Sequence, residues 1–183
     1  MVKKKRNIDH DHSRRCQKVQ DNLKKLQAYD YEVIQPDTGM LACRDVGDGK
    51  MPKEEVLVSY ILREIAYEKD LKGMKVIVTA GPTQESIDPV RYITNHSTGK
   101  MGYEIAKAAM LRGAEVTLVS GPVSLTPPPF VNVVSVTSAQ DMYNAVTSLA
   151  PEQDAIVKAA AVADYAPSQV STEKVKKKDG DMS

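Results

Sequence analysis

The hydrophobic positions of the chain change their spacing near residue 73. In the segment 53–69, apolar residues recur three and four positions apart, which predicts an amphipathic helix. A shorter helix is predicted from Asp21, followed by a strand around residues 31–34. The segment 37–51, rich in glycine and acidic residues, is expected to be a loop. The first part of the chain therefore predicts a small group of mixed elements.

Beyond Gly73, short β-branched runs alternate with helical repeats. The predicted strands lie at 75–81, 115–122, 131–137 and 154–165, and the predicted helices at 98–114 and 138–150. Thr137 or Ser138 is expected to cap the second of these helices. Alternating strands and helices build parallel sheets. The predicted fold class is α/β, a doubly wound Rossmann-like parallel sheet flanked by helices, with a small N-terminal α/β remnant.

Composition and charge narrow the class of protein. Hydrophobic residues make up 42% of the chain, charged residues 27%, and the net charge is +1, as in an ordinary globular protein with no chain-wide affinity for nucleic acid. No stretch approaches the roughly 18 apolar residues of a membrane span, and two cysteines make no disulfide framework. We expect a cytoplasmic protein. Residues 1–19 are predicted to be a poorly ordered arm, and its two histidines are assigned no metal site.

The segment 81–100 contains the first candidate binding site. It is long for a connection in an α/β protein, where about 2 to 6 residues are usual, and long loops at strand ends are commonly functional. Ser97 and Gly99 lie at the predicted start of a helix, where free backbone N–H groups and the helix dipole favour an anion. An ordinary capped helix, with Gly102 permitting contact between helix and sheet, is an equally good interpretation.

Two polar residues in the same segment add to this hypothesis. Arg91 offers a planar fork that suits phosphate or carboxylate, although pairing with Asp88 is the simpler interpretation. Asn95 offers both a donor and an acceptor, although it also suits a turn.

The sequence of motifs is more specific than any single residue. The blocks TAGPTQESIDPVRYITNHSTGKMG, VTLVSGPV, KAAAVADY and EKVKKK resemble, in order and separation, the signature blocks of the phosphopantothenate-cysteine ligase family. The resemblance covers about residues 20–183. It implies CTP- and Mg²⁺-dependent ligation of 4'-phosphopantothenate to cysteine through an acyl-cytidylate, in coenzyme A biosynthesis and in a homodimer. The resemblance also places a C-terminally truncated ligase domain at residues 73–183.

The resemblance assigns roles to particular residues. Asn95 matches the asparagine that contacts the acyl-cytidylate, Arg91 the arginine of the second step, and Lys174 the lysine that meets the triphosphate. The residues expected to bind the nucleotide are Gly81, Ser97, Gly99, Ala160, Ala161, Asp164 and Lys174. Asp164 is also the candidate ligand of the metal ion.

Residues 20–72 resemble a different protein. The segment LACRDVGDGKM is similar to the substrate-clamp loop of phosphopantothenoylcysteine decarboxylase, and Cys43 matches the acid of that enzyme. The flavin-binding body is absent from this sequence, so we expect FMN only with a separate flavin-domain chain. Decarboxylation by this chain is not expected, and a bystander thiol is the better interpretation of Cys43.

Three other interpretations of function stay open. The chain could be a nucleotide-binding remnant without turnover or a half of a split decarboxylase/ligase, and a non-functional fragment would bind no nucleotide. An NAD-dependent oxidoreductase is less favoured, because the second predicted strand ends in SGP rather than in a ribose-binding carboxylate.

Overall fold

The computed structural model describes residues 17–40 and 46–175. The chain divides into two compact units, residues 1–60 and 61–183. The domain limits predicted from the sequence, at residues 19/20 and 72/73, remain predictions.

The first unit holds a helix and a two-stranded ladder. Helix α1 (Gln17–Ala28) has no buried residue, and strands β1 (Asp37–Met40) and β2 (Val46–Lys50) pair in antiparallel orientation. The strand predicted around residues 31–34 is wrong, because that segment is irregular and the pairing falls in the predicted loop. Backbone groups make such a ladder, so glycine and polar residues form it without an apolar pattern. Helix α2 (Glu54–Ile65) follows the ladder.

A parallel sheet forms the centre of the second unit. Its elements are β3 (Lys75–Ala80), β4 (Gln84–Ser86), β5 (Tyr92–Thr94), α3 (Lys100–Leu111), β6 (Glu115–Ser120), β7 (Asn132–Ser135), α4 (Ala139–Leu149), a 3₁₀ turn (Ala150–Glu152) and β8 (Ala155–Lys158). Four strands pair in parallel, in the spatial order β7-β6-β3-β8. The predicted fold class is therefore confirmed.

The two faces of β3 pack against different helices. Val78 and Ala80 belong to one buried cluster with residues of α3, whereas Ile77 belongs to another with Met142 of α4. Successive side chains of a strand point to opposite faces, so α3 and α4 cover opposite sides of the sheet. This is the doubly wound arrangement, and the β-branched run of β3 is buried because both of its faces are covered.

The order of the strands fixes where a ligand would bind. From β3 the chain moves to β6 and β7 on one side and then returns to β8 on the other side of β3. In open parallel sheets, ligands bind beyond the carboxyl ends of the strands at this change of direction. The corresponding crevice lies between the ends of β3 and β8. In the described part of the chain, no helix is long and apolar enough to cross a membrane.

Candidate anion-binding site at the carboxyl edge of the sheet

Buried threonine hydroxyls join the ends of β3 and β8. Thr79 Oγ1 accepts hydrogen bonds from the backbone N–H groups of Ala159 and Ala160, at 3.1 and 3.2 Å. Thr83 Oγ1 accepts one from Ala163 N at 2.9 Å. Ala161 N also donates to the Gly81 carbonyl at 2.8 Å. The strand predicted over residues 154–165 therefore ends early at Lys158, and the chain beyond it follows the end of β3 through these bonds.

Asn95 fixes the loop before α3 to the same edge. Its side chain is exposed, and Nδ2 donates to the carbonyl oxygens of Val162, at 3.0 Å, and Ala161, at 3.4 Å. The structure therefore brings Asn95 and Ala161 together. The role of Asn95 toward a bound acyl group remains a prediction.

The start of α3 provides the groups that an anion needs. Gly99 precedes the helix with φ 75° and has no side chain to cap it, and Thr98 Oγ1 accepts a bond from Lys100 N, the first N–H group of the helix, at 3.4 Å. Ser97 Oγ accepts a bond from Gly99 N at 3.3 Å, which turns the loop into the helix. The N–H groups of a first helical turn have no acceptor within the helix, and the helix dipole adds positive potential there. Lys100, at the first helical position, is exposed.

The glycines of this edge are required by packing within the chain. A Cβ on Gly99 would lie 2.9 Å from Val123 Cγ1 and 3.2 Å from Gly81 N, and Gly81 itself has φ 76°. A Cβ on Gly102 would lie 2.5 Å from Ala80 Cβ. The interpretation that Gly102 permits contact between helix and sheet is therefore confirmed. This packing is sufficient to explain why residue 99 is a glycine, without close approach of a phosphate.

Asp88 and Arg91 form an ion pair at the tip of the β4–β5 hairpin, in which the Arg91 side chain stays 47% exposed. The Asp88 side chain is fully buried, and its Oδ2 accepts bonds from Arg91 Nε at 3.0 Å and Nη2 at 2.6 Å. Its Oδ1 accepts from the backbone N–H groups of Val90 and Arg91, at 2.9 and 2.8 Å. The Arg91 guanidinium, followed by these backbone bonds, holds the pKa of Asp88 well below its usual range. Pairing with Asp88, the simpler interpretation of Arg91, is confirmed.

The remaining predicted site residues are dispersed. Lys174 is exposed on the segment that the Asp88 carboxylate binds, and Asp164 is exposed beyond β8. Within residues 17–40 and 46–175, no three His, Cys, Asp or Glu side chains form a group that could hold a metal ion. Cys43 lies outside the described residues.

Reasoning from the sequence missed several buried polar residues of this edge. Thr79, Thr83 and Glu85 are buried, and Glu85 Oε1 accepts a hydrogen bond from the first backbone N–H of α4, at 2.9 Å. The role of Asp88 as a hydrogen-bond acceptor could have been predicted from the sequence. It precedes a proline, and Asp-Pro dipeptides favour turns in which the carboxylate accepts a bond from the backbone N–H two residues later. Nothing in the local sequence signals the other three.

The fold and this edge define a class of protein. It is a Rossmann-like α/β domain with an uncapped helix N-terminus at the point where the strand order reverses. A family model described as the DNA/pantothenate metabolism flavoprotein C-terminal domain matches residues 71–183. The chain belongs to this family.

Individual relatives agree with this family. The coenzyme A biosynthesis bifunctional protein CoaBC of Vibrio vulnificus is 49% identical over 161 residues, which are 88% of this chain and 40% of the relative. The crystal structure of the C-terminal domain of a CoaBC protein aligns with TM-score 0.53 and 56% identity, over 55% of this chain and 51% of that one. The Streptococcus pneumoniae DNA/pantothenate metabolism flavoprotein aligns with TM-score 0.50 and 35% identity, over 52% of this chain and 42% of that one. The chain thus spans about 40% of the length of its CoaBC relative.

These comparisons correct the predicted function. The family is described as a domain of a pantothenate-metabolism flavoprotein, and neither that description nor the relatives' names mention a ligase, CTP or magnesium. The assignment to the phosphopantothenate-cysteine ligase family, with CTP and Mg²⁺ as cofactors, is therefore replaced by this flavoprotein family. The expectation that decarboxylase chemistry is absent depended on the same assignment and is withdrawn with it. Coenzyme A biosynthesis and pantothenate metabolism are confirmed as the context.

The described residues do not fit the flavin that the family description implies. An apolar groove of about 370 Å³ at this edge lies against Met142, Val146 and Val162. A flavin ring carries a polar edge that needs fixed donors and acceptors, as cofactor sites generally provide. Among the described residues, every buried side-chain nitrogen and oxygen atom already has a partner within the chain. We therefore derive no chemical step through flavin in this part of the chain.

Proposed function

We propose that this chain acts as one part of a split decarboxylase/ligase in coenzyme A biosynthesis, and that its carboxyl edge binds the phosphate of a phosphorylated pantothenate derivative. The family description and the relatives' names support the pathway. The small-molecule partner is then 4'-phosphopantothenate or its cysteine conjugate. A homodimer, a separate flavin-domain chain and a cytoplasmic location remain predictions.

The observation that carries this proposal is the uncapped start of α3 at the crevice. A phosphate carries negative charge and several strong acceptor oxygens, which match the N–H groups of the first helical turn that follow the one bound by Thr98. The Ser97 hydroxyl and the exposed Lys100 ammonium lie at the same helix start and add donors. The exposed Asn95 carboxamide and the Ala161 backbone form the adjacent wall. These residues bind and orient the substrate, and no bond-breaking step is assigned to them.

Calorimetry tests the proposal directly. We expect the full chain to bind 4'-phosphopantothenate at least about tenfold more tightly than pantothenate, because the charge-assisted hydrogen bonds require the phosphate. Ser97→Ala should weaken binding of the phosphorylated compound. The matched control, Ser148→Ala, removes an exposed hydroxyl that bonds only within α4 and should leave binding unchanged.

Three results would count against the proposal. Equal heats for pantothenate and its phosphate, or no heat at millimolar ligand, would exclude a phosphate site at this edge. Release of pyrophosphate from CTP in the presence of 4'-phosphopantothenate, cysteine and magnesium would contradict the corrected assignment and restore the ligase.

A further inference from the structure

The segment Ser171–Val175 is attached to the hairpin β4–β5 by a small set of specific bonds. Ser171 N donates to the Ile87 carbonyl at 3.0 Å. Val175 N donates to Asp88 Oδ2 at 3.1 Å, and Arg91 Nη2 donates to the Val175 carbonyl at 3.1 Å. Both polar backbone groups of Val175 are therefore bound by one ion pair that lies more than 80 residues earlier in the chain.

The Asp88 carboxylate is the centre of this set. It accepts five hydrogen bonds, from Arg91 Nε and Nη2 and from the backbone of Val90, Arg91 and Val175. Its side chain is 0% exposed, although most of its partners belong to a surface hairpin. A carboxylate that leaves water is stable only when its lone pairs are bonded and its charge is paired. Arg91 pairs the charge of Asp88, and the docked Val175 supplies the fifth of its hydrogen bonds.

We propose that Asp88 is a positioning residue: with Arg91 it clamps Ser171–Val175 onto the β4–β5 hairpin and so fixes Lys174 beside the hairpin that joins Thr83 to Asn95. The second half of this inference rests on the proposed function. Lys174 lies directly before the clamped Val175, and its long flexible stem leaves the ammonium group free to reach an anion. The clamp lowers the entropy lost when that lysine meets a ligand, because the backbone is already ordered.

Limited proteolysis with trypsin tests the clamp without any ligand. Trypsin cleaves the peptide bond between Lys174 and Val175, and a protease cuts a docked segment only after that segment opens locally. We expect Asp88→Asn to increase the rate of cleavage after Lys174 by about tenfold, as loss of a charged hydrogen-bond set implies. Arg91→Lys keeps the positive charge but loses the planar guanidinium group, so it should also increase the rate of cleavage after Lys174. Mass spectrometry of the fragment ending at Lys174 gives the rate.

A matched control separates the clamp from general destabilisation. Asp70 and Arg112 also form an ion pair, with Arg112 Nε donating to Asp70 Oδ1 at 2.8 Å, but both side chains are nearly half exposed. Asp70→Asn should leave cleavage after Lys174 unchanged. Circular dichroism should show that both Asp variants remain folded. An unchanged rate in folded Asp88→Asn and Arg91→Lys would overturn the clamp.

Ligand binding tests the positioning of Lys174 separately. If the clamp positions Lys174, then Asp88→Asn and Lys174→Ala each weaken binding of 4'-phosphopantothenate, and the double variant binds little worse than either single variant. A fully additive double variant would mean that Asp88 acts independently of Lys174 and would overturn the positioning role. A wild-type chain that binds no phosphate would disprove the proposed function and the role of Lys174 in binding, whereas the proteolysis result would still decide the clamp.

Discussion

At the scale of single residues, close contact between backbones explains the small side chains of this edge. Gly102 lies in α3 where the helix crosses β3, and an added Cβ would lie 2.5 Å from Ala80 Cβ and 2.9 Å from the Thr79 carbonyl oxygen. In an exposed helix, replacing glycine by alanine stabilises by about 1 kcal/mol. Here the backbone of a buried strand would have to move, so the sign of the effect reverses.

We therefore expect Gly102→Ala to lower the free energy of unfolding by about 1–3 kcal/mol, the usual cost of overfilling a packed contact. Urea denaturation of both proteins measures the difference. Glu104→Ala, on the exposed side of the same helix, should change stability by less than about 0.5 kcal/mol. A Gly102→Ala protein as stable as the wild type would show that α3 can shift away from β3 without cost.

The site itself was partly visible from the sequence. Ser97 and Gly99 were predicted at a helix start because N-terminal residue preferences are local. The partner of Asp88 and Arg91 could not be predicted, because Val175 lies 87 residues beyond Asp88 and no local pattern connects them. Thr79 and Thr83 were missed for a related reason: their hydroxyl oxygens accept hydrogen bonds from backbone N–H groups about 80 residues away.

At the scale of elements, the pattern of apolar residues predicted those helices and strands that bury a face. The segments β3, α3, β6 and α4 all contribute to the two buried clusters, so their spacing is visible in the sequence. The hairpins β1–β2 and β4–β5 were missed, because backbone hydrogen bonds form them and most of their side chains are exposed or half-buried. The start of α4 was predicted correctly, since a capping residue acts within one turn.

Helix α4 begins with a reciprocal capping box, which gives a second prediction. Ser138 Oγ accepts a bond from Asp141 N at 3.1 Å, and Asp141 Oδ2 accepts one from Ser138 N at 2.9 Å. We expect Ser138→Ala to lower the free energy of unfolding by about 1 kcal/mol. Ser148→Ala, near the end of the same helix, is the control and should have less effect. Thermal denaturation followed by circular dichroism distinguishes them, and equal shifts of the two variants would exclude a capping role.

At the scale of the whole molecule, the core of the sheet is built from the second unit alone. Both buried clusters consist of residues between Leu71 and Ala160, whereas α1 has no buried residue. The stability of β3 should therefore not depend on the first unit.

Removal of residues 1–52, which takes away most of the first unit and leaves α2 intact, tests this independence. We expect the amide protons of β3 to keep their hydrogen-exchange protection within about threefold, because protection follows the local buried contacts. Leu118→Ala provides the comparison: this fully buried side chain lies in the adjacent strand, and its loss should cost about 2–5 kcal/mol and reduce protection throughout the sheet. Loss of protection in the shortened protein, comparable to that in Leu118→Ala, would show that the first unit supports the sheet.

The placement of β3 between β6 and β8 has a consequence for synthesis on the ribosome. One edge of β3 can pair as soon as β6 has emerged, but the other pairs with β8, and Thr79 meets Ala159 only 80 residues later. At roughly 5–20 residues per second, that interval lasts about 4 to 16 seconds. During it, an apolar strand with an open edge is exposed to other nascent chains, so a chaperone that covers β3 would protect the protein from aggregation before translation ends.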